Sequence, residues 1–99
     1  MSYRVRLTQG AMEDLRRLYR FQLERNLKVA IRARRAIGKA LVLLRDFPFT
    51  CRKATAGNPF LRELVIPFGS AGYVALFEIE DDRTVTVLAV RHQLEEDYH

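Results

Sequence analysis

The sequence predicts an α+β domain with the order β-α-α-β-β-β, in which a helical hairpin packs on one face of a small, twisted, mostly antiparallel sheet. Two apolar runs within residues 72–93 flank an acidic turn, which is typical of a β-hairpin. Apolar side chains within residues 11–44 recur at the spacing of two amphipathic helices joined by a short link. No repeat or linker divides the chain, so we expect residues 1–99 to form a single domain.

A short strand and a helix are predicted at the start of the chain. Residues 3–7 alternate between polar and apolar side chains and are expected at a sheet edge. Thr8 is a suitable N-cap for a helix whose apolar face begins at Ala11. Glu13 and Asp14 are expected in the first turn of this helix, where its dipole favours acids. The predicted solvated side comprises Arg16, Arg17 and Arg20.

A second helix is expected from Leu27, with Asn26 as its N-cap. It is predicted to end near Asp46, because Pro48 disfavours helical geometry at the residue before it. The predicted buried face comprises Leu27, Ala30, Ile31, Ile37, Leu41 and Leu44, with Arg34 as its polar member. The predicted exposed face comprises Arg32, Arg35 and Lys39.

The second half of the chain is predicted to supply the rest of the sheet. Residues 49–59 are expected to form a loop, since glycine, asparagine and proline occur together there. A strand over residues 60–66 follows, and Pro67 is expected to end it. The central hairpin comes next, with its turn at residues 80–83. In its first strand, Tyr73, Ala75, Phe77 and Ile79 share one face, and Val74 and Leu76 lie on the other.

Charge is divided unevenly along the chain. Residues 1–53 contain 14 of the 17 Lys and Arg residues but 4 of the 12 acidic residues. This asymmetry predicts a basic surface that attracts an acidic partner, either nucleic acid or an acidic peptide segment. The alternative is a pair of solvated helices that are rich in arginine. The single cysteine, Cys51, excludes an intramolecular disulfide, and no apolar run is long enough to span a membrane, so we expect a cytoplasmic protein.

Residues that could carry chemistry are few. Neither histidine has a companion at metal-ligand spacing, and no glycine-rich phosphate loop occurs, so we expect no metal and no cofactor. The remaining candidates are Arg62, Arg91, His92, Glu95, Glu96 and Tyr98. A histidine near a carboxylate can act as a general base, and arginine can stabilise a phosphorane, which would suit metal-free RNA cleavage. In the alternative, which the residue types favour, Arg91 and His92 pair with acids of the C-terminal tail and fix it to the sheet.

Several short patterns then occur in a characteristic order and spacing. They are Tyr3-Arg4-Val5-Arg6-Leu7-Thr8 followed by Ala11 and Asp14-Leu15, then Phe47-Pro48, Leu61-Arg62-Glu63-Leu64, Gly72-Tyr73, and Val87-Leu88-Ala89-Val90-Arg91-His92-Gln93 before an acidic tail with a tyrosine. With these patterns, nearly the whole chain resembles the RelE/ParE superfamily of toxins from type II toxin–antitoxin modules. The ParE-like branch is the more similar one, and the superfamily implies the fold predicted above.

The resemblance implies two possible activities. RelE-like toxins cleave mRNA on the ribosome, whereas ParE-like toxins inhibit DNA gyrase. RelE-like nucleases carry an arginine directly after the Gly-Tyr of the third strand, and here that position is Val74. This departure favours a plasmid stabilisation-type toxin that binds gyrase and is not an enzyme. The alternatives are a metal-free, ribosome-dependent mRNA endonuclease that uses His92, Arg62 or Arg91, and Tyr98, or an inactive partner of a DNA-binding antitoxin.

The resemblance also implies partners and their binding residues. We expect a cognate antitoxin in a toxin–antitoxin hetero-oligomer, together with DNA gyrase, or the ribosome with mRNA in the alternative, and no membrane. The expected antitoxin-binding residues are Val74 and Leu76 on the second sheet face, with Arg16, Arg20 and Arg35 as the basic surface to be neutralised. The expected target-binding residues are Arg91, His92, Glu95 and Tyr98.

Overall fold

Within residues 2–95, which the computed structural model describes, two helices cover one face of a five-stranded mixed sheet. The strands are Arg4–Leu7 (β1), Arg52–Thr55 (β2), Asn58–Phe68 (β3), Ala71–Ile79 (β4) and Thr84–His92 (β5), and the helices are Gln9–Arg25 (α1) and Leu27–Leu43 (α2). The strand order is β1-β5-β4-β3-β2, with β1 parallel to β5 and the other neighbours antiparallel. The predicted α+β fold and the edge position of β1 are therefore confirmed.

The structure contains one strand more than the sequence predicts. β2 lies in the predicted loop and pairs antiparallel with the first half of β3. Its sequence, RKAT, has no alternation of large apolar side chains, so its strand conformation depends on this pairing. β3 also continues through Pro67, which was expected to end it. The register of β2 reaches only Glu63, so β3 has a single neighbour at Pro67 and tolerates a residue without an N–H group.

Both predicted helix caps are confirmed. The Thr8 hydroxyl accepts a hydrogen bond from the Ala11 amide at 3.1 Å, and the Asn26 side chain accepts one from the Val29 amide at 3.2 Å. Because α1 begins at Gln9, the predicted position of Glu13 and Asp14 in its first turn is wrong. Both residues lie in the second turn, where the dipole effect is weaker.

The core lies between the helices and the sheet. Its buried members include Leu18, Ile37, Leu44, Phe77 and Ile79, as predicted. The predicted burial of Leu27 and Ile31 is wrong, since these side chains are 57% and 36% exposed. In α2 the buried face instead runs through Ala30, Ala33 and Ile37. Small residues on this face let α2 approach its neighbours closely, which turns the adjacent large side chains towards solvent.

The β4–β5 hairpin is closed by the acidic turn that the sequence predicts. The Asp81 carboxylate accepts hydrogen bonds from the backbone amides of Arg83 and Thr84, both at 2.8 Å. These bonds, that from Arg83 above all, lower the pKa of Asp81. At the other end of β4, a side chain on Gly72 would collide with the carbonyl group of Ile66, so the close approach of β3 and β4 there requires glycine.

Candidate functional site

Helix α1 takes over from β1 along the outer edge of β5. β1 pairs with β5 only as far as Val87. Beyond that point the Thr8 hydroxyl donates to the Leu88 carbonyl oxygen at 3.1 Å, and the Val90 amide donates to Asp14 Oδ2 at 2.9 Å. The start of α1 therefore supplies hydrogen-bond partners that a longer β1 would otherwise provide.

Asp14 is a buried carboxylate with a defined structural task. Its exposed fraction is 4%, and Oδ1 lies 3.8 Å from Nη2 of Arg17 in addition to the Oδ2 contact with the Val90 amide. Sequence reasoning placed Asp14 in a favourable helix turn and missed this role. The available signal was spacing, since Asp14 shares one helix face with Ala11 and Leu18, both of which are buried.

The chain after β5 folds back into a turn, and we call residues 91–95 the C-terminal corner. The Glu95 amide donates to the His92 carbonyl oxygen at 3.0 Å, and the Gln93 amide donates to the Gly72 carbonyl oxygen at 2.8 Å. The Leu94 amide donates to Nδ1 of His92 at 3.2 Å. This bond occupies Nδ1 as an acceptor and ties the imidazole to the backbone of the turn.

Aromatic packing fixes the His92 ring. The Tyr73 ring meets it edge-on, with 5.5 Å between the ring centroids. The Tyr73 hydroxyl in turn accepts a hydrogen bond from the Gln22 side chain of α1 at 3.1 Å. The half-buried imidazole is therefore part of a packed row that joins α1, β4 and β5.

Charged side chains complete the C-terminal corner. Arg91 Nη1 donates to the Glu95 carbonyl oxygen at 3.1 Å. The Glu95 carboxylate pairs with Arg17 through two bonds, Nη1 to Oε1 at 2.6 Å and Nη2 to Oε2 at 3.4 Å. The hydrogen bond with Glu95 raises the pKa of Arg17. The structure thus brings together Arg91, His92 and Glu95, three of the residues that the sequence proposes for target binding, while Tyr98 lies outside the described residues.

Arg62 is separate from this corner. It pairs in register with Phe77 of β4, whereas His92 pairs with Tyr73, and four residues along a strand span roughly 13 Å. Its guanidinium donates to the carbonyl oxygens of Pro59, Cys51 and Phe49, at 2.7, 2.8 and 3.1 Å. It also lies 5.4 Å from the centroid of the Phe49 ring. Arg62 therefore holds the connection around β2 in place.

An apolar groove opens between α1, α2 and β1. Its volume is about 470 Å³, and apolar lining side chains include Leu7, Met12, Leu15, Leu18, Ile37 and Leu41. Two exposed arginines, Arg16 of α1 and Arg34 of α2, also line it. Arg20 follows Arg16 by one helical turn, and Arg35 is next to Arg34, and both are exposed. We call this surface the basic groove; the sequence predicts that Arg16 is exposed, but the prediction that Arg34 belongs to the buried face of α2 is wrong, and the cavity is not predicted.

The second sheet face is less accessible than the sequence predicts. Val74 does lie away from the main core cluster, between Val65 and Arg91 on the neighbouring strands. Its exposed fraction, however, is only 2%, so the prediction that Val74 offers apolar docking surface there is wrong. Leu76 is partly buried.

A comparison with protein-family models shows the family to which the chain belongs. The model described as "ParE toxin of type II toxin-antitoxin system, parDE" matches residues 5–97. The chain belongs to the ParE toxin family. Inhibition of DNA gyrase is the general function of this family. The match to the family model confirms the resemblance that the short sequence patterns indicate. A comparison with curated proteins finds no match.

A solved structure shows the same fold. The toxin is similar to a structure entitled "Chromosomal ParDE TA system from P. aeruginosa", with a TM-score of 0.74. The match covers 92% of this chain and 96% of the other, at 16% sequence identity. Within residues 2–95 of the toxin, no helix is long and apolar enough to cross a membrane. In the same part of the chain, no group of three His, Cys, Asp or Glu side chains is arranged to hold a metal ion.

Proposed function

We propose that this toxin inhibits DNA gyrase by binding it through the C-terminal corner, and that a cognate antitoxin neutralises the toxin at the basic groove. The family supplies the general activity. The proposal adds which surface of this chain meets which partner. It also places the toxin in the cytoplasm, where gyrase acts.

The observation that carries the gyrase proposal is that the candidate nuclease side chains already bind groups of the toxin itself. Arg62 donates to three carbonyl oxygens, and Arg91 binds the carbonyl oxygen of Glu95. In His92, Nδ1 accepts a backbone hydrogen bond, so this ring nitrogen does not have a free lone pair for a substrate proton. At the position after Tyr73, where RelE-like nucleases carry arginine, Val74 is buried.

The C-terminal corner has the features of a binding surface. It combines Arg91, the edge of an imidazole, the Glu95 carboxylate and the 80% exposed side chain of Leu94 on a short projecting turn. Arginine and aromatic side chains are enriched among residues that dominate binding energy. Tyr98, which lies outside the described residues, is proposed as a further target-binding residue.

The basic groove suits an amphipathic, acidic segment of the antitoxin. Its apolar walls can bury one face of a helix, which is a common mode of peptide recognition. Arg16 lines it, Arg20 and Arg35 are exposed on the same two helices, and α2 contains no acidic residue. Carboxylates on the partner would therefore gain attractive interactions over the whole groove. Leu76 on the second sheet face is a smaller, separate candidate for antitoxin contact.

Two parallel assays test this proposal. The full-length toxin, released from its antitoxin complex, is added to gyrase with relaxed plasmid and, separately, to programmed ribosomes. We expect loss of supercoiling and intact ribosome-bound mRNA. Cleavage of mRNA without inhibition of gyrase would establish the RelE-type alternative. Inactivity in both assays and in growing cells would indicate an inactive antitoxin partner.

A further inference from the structure

We propose that Arg17 is a positioning residue, which acts through Glu95 to hold the C-terminal corner in the shape that binds the target. The inference rests on the proposed function, because it takes the corner as the target-binding segment. Arg17 itself lies on α1, outside that segment.

Helix α1 holds the end of β5 at two points. Asp14 accepts the Val90 amide before the corner, and Arg17 binds the Glu95 carboxylate at its far end. Arg91 and His92 lie between these two points. Because Asp14 and Arg17 are also within 3.8 Å of each other, one turn of α1 provides both attachments. The position of the corner is thereby tied to α1 and not to β5 alone.

Other bonds of the corner shape its turn. Arg91 Nη1 to the Glu95 carbonyl oxygen, and the Leu94 amide to His92 Nδ1, connect residues within the corner. The Gln93 amide joins it to β4. Beyond Gln93, the Arg17–Glu95 pair links the corner to the body of the protein. A guanidinium bound by two nitrogens also fixes the direction of its carboxylate partner.

The Arg17–Glu95 pair is expected to affect the shape of the C-terminal corner more than the free energy of unfolding. The Arg17 side chain is 45% exposed and that of Glu95 is 33% exposed. Ion pairs at this exposure contribute little to the free energy of unfolding. Loss of Arg17 is therefore expected to loosen the corner while the core stays folded. A loosened corner must be ordered at the moment of binding, which we expect to weaken target binding about tenfold.

A double-mutant cycle tests the inference on the full-length toxin. The variants are Arg17→Ala, Glu95→Ala and the double substitution, and the matched control is Arg32→Ala, which removes an exposed arginine from α2. Three quantities are measured for each. They are hydrogen exchange at the Leu94 and Glu95 amides, inhibition of gyrase supercoiling, and growth arrest on expression.

We expect Arg17→Ala to speed exchange at both amides and to weaken gyrase inhibition about tenfold, with weaker growth arrest. In a Glu95→Ala background, Arg17→Ala should add nothing, because Arg17 acts through Glu95. The control should match the wild type. Arg17→Lys, which keeps a positive charge beside Asp14 but cannot reproduce the two-pronged bond, should show the same loss and covers the case in which Arg17→Ala does not fold.

Four results would overturn the inference. Unchanged exchange in both Arg17 variants would show that the pair does not hold the corner. Loosened exchange with full toxicity would show that the shape of the corner does not matter. Additive losses in the cycle would show that Arg17 acts independently of Glu95. A wild-type toxin that arrests growth without inhibiting gyrase would contradict only the proposed target, because hydrogen exchange and growth arrest would still test the role of Arg17. A wild-type toxin that neither arrests growth nor inhibits gyrase would overturn both the proposed function and the inference about Arg17.

Discussion

The arginines of the basic groove differ in their contacts from the two arginines that act at the C-terminal corner, which are Arg91 within it and Arg17 of α1. At the groove, Arg16 and Arg34 are exposed and line an apolar cavity. At the corner, Arg17 binds a carboxylate and Arg91 binds a backbone carbonyl oxygen, both within the protein. In the proposed function the first surface offers its charge to a partner, whereas the arginines at the second bind groups of the protein itself.

This difference shows why a count of basic residues does not locate a site. An exposed guanidinium beside apolar surface gains attraction from a partner's carboxylate and steers its approach. A guanidinium that already binds protein oxygens contributes rigidity, which lowers the entropic cost of binding. Arg62 is a third case, since its three carbonyl contacts serve the connection around β2 alone.

The largest expected effect tests whether the two surfaces depend on one core. Phe77 is fully buried in the core cluster at the middle of β4. Phe77→Ala should lower the free energy of unfolding by about 3–5 kcal/mol through the cavity it leaves, and both partners should then bind more weakly. Chemical denaturation measures this loss. Phe60→Ala, at a half-exposed ring, is the control, and a loss below about 1 kcal/mol for Phe77→Ala would contradict its central position.

Substitutions at the corner test whether gyrase and the antitoxin bind to separate surfaces. Arg91→Ala and Tyr98→Ala should each weaken gyrase binding by about 1–3 kcal/mol and leave antitoxin affinity unchanged. His92→Gln should be tolerated better than either substitution, because glutamine keeps a polar side chain of similar length there although it loses the ring contact with Tyr73. Titration of labelled toxin with gyrase measures the affinities. Loss of toxicity in a folded His92→Gln variant that still binds antitoxin would instead support the nuclease alternative.

The converse test is made at the groove. Arg16→Glu and Arg35→Glu should each weaken antitoxin binding about tenfold at low salt, with a smaller difference at high salt, because charge interactions at exposed sites are screened. Gyrase inhibition should not change. Arg83→Glu gives the same change in net charge at the distant β4–β5 turn and serves as the control. If it weakens antitoxin binding equally, only the net charge of the toxin matters, and the groove is not the site.

The smallest expected effect lies in the β4–β5 turn, away from the corner. Backbone amides lower the pKa of Asp81 below its ordinary value, so its contribution to stability is present above about pH 4 and is lost as pH falls through the lowered pKa. Asp81→Asn keeps an oxygen acceptor without this titration, so its free energy of unfolding should fall less between pH 5 and pH 2. Equal pH dependence of the wild type and the variant would exclude the role of Asp81.

Much of the fold follows from local sequence. The alternation in residues 73–79, the caps Thr8 and Asn26, and the acidic turn all predict their structures correctly, because each depends on side chains within a few residues of one another. The family patterns also depend on nearby residues. Gly72 is an example, because a side chain there would collide with the carbonyl group of Ile66, six residues away. The sequence alone also determined that positive charge concentrates on the helical half of the chain.

Tertiary structure decided the contacts that define the two surfaces. β2 is a strand because β3 lies beside it, and Asp14 is buried because the Val90 amide, 76 positions away in sequence, has no strand partner there. Arg17 meets Glu95 across 78 positions. A side chain's type states which bonds it can make, but the packing of distant segments determines which groups come within reach. For this reason Arg16 and Arg17, adjacent and identical in sequence, lie on different surfaces of the toxin.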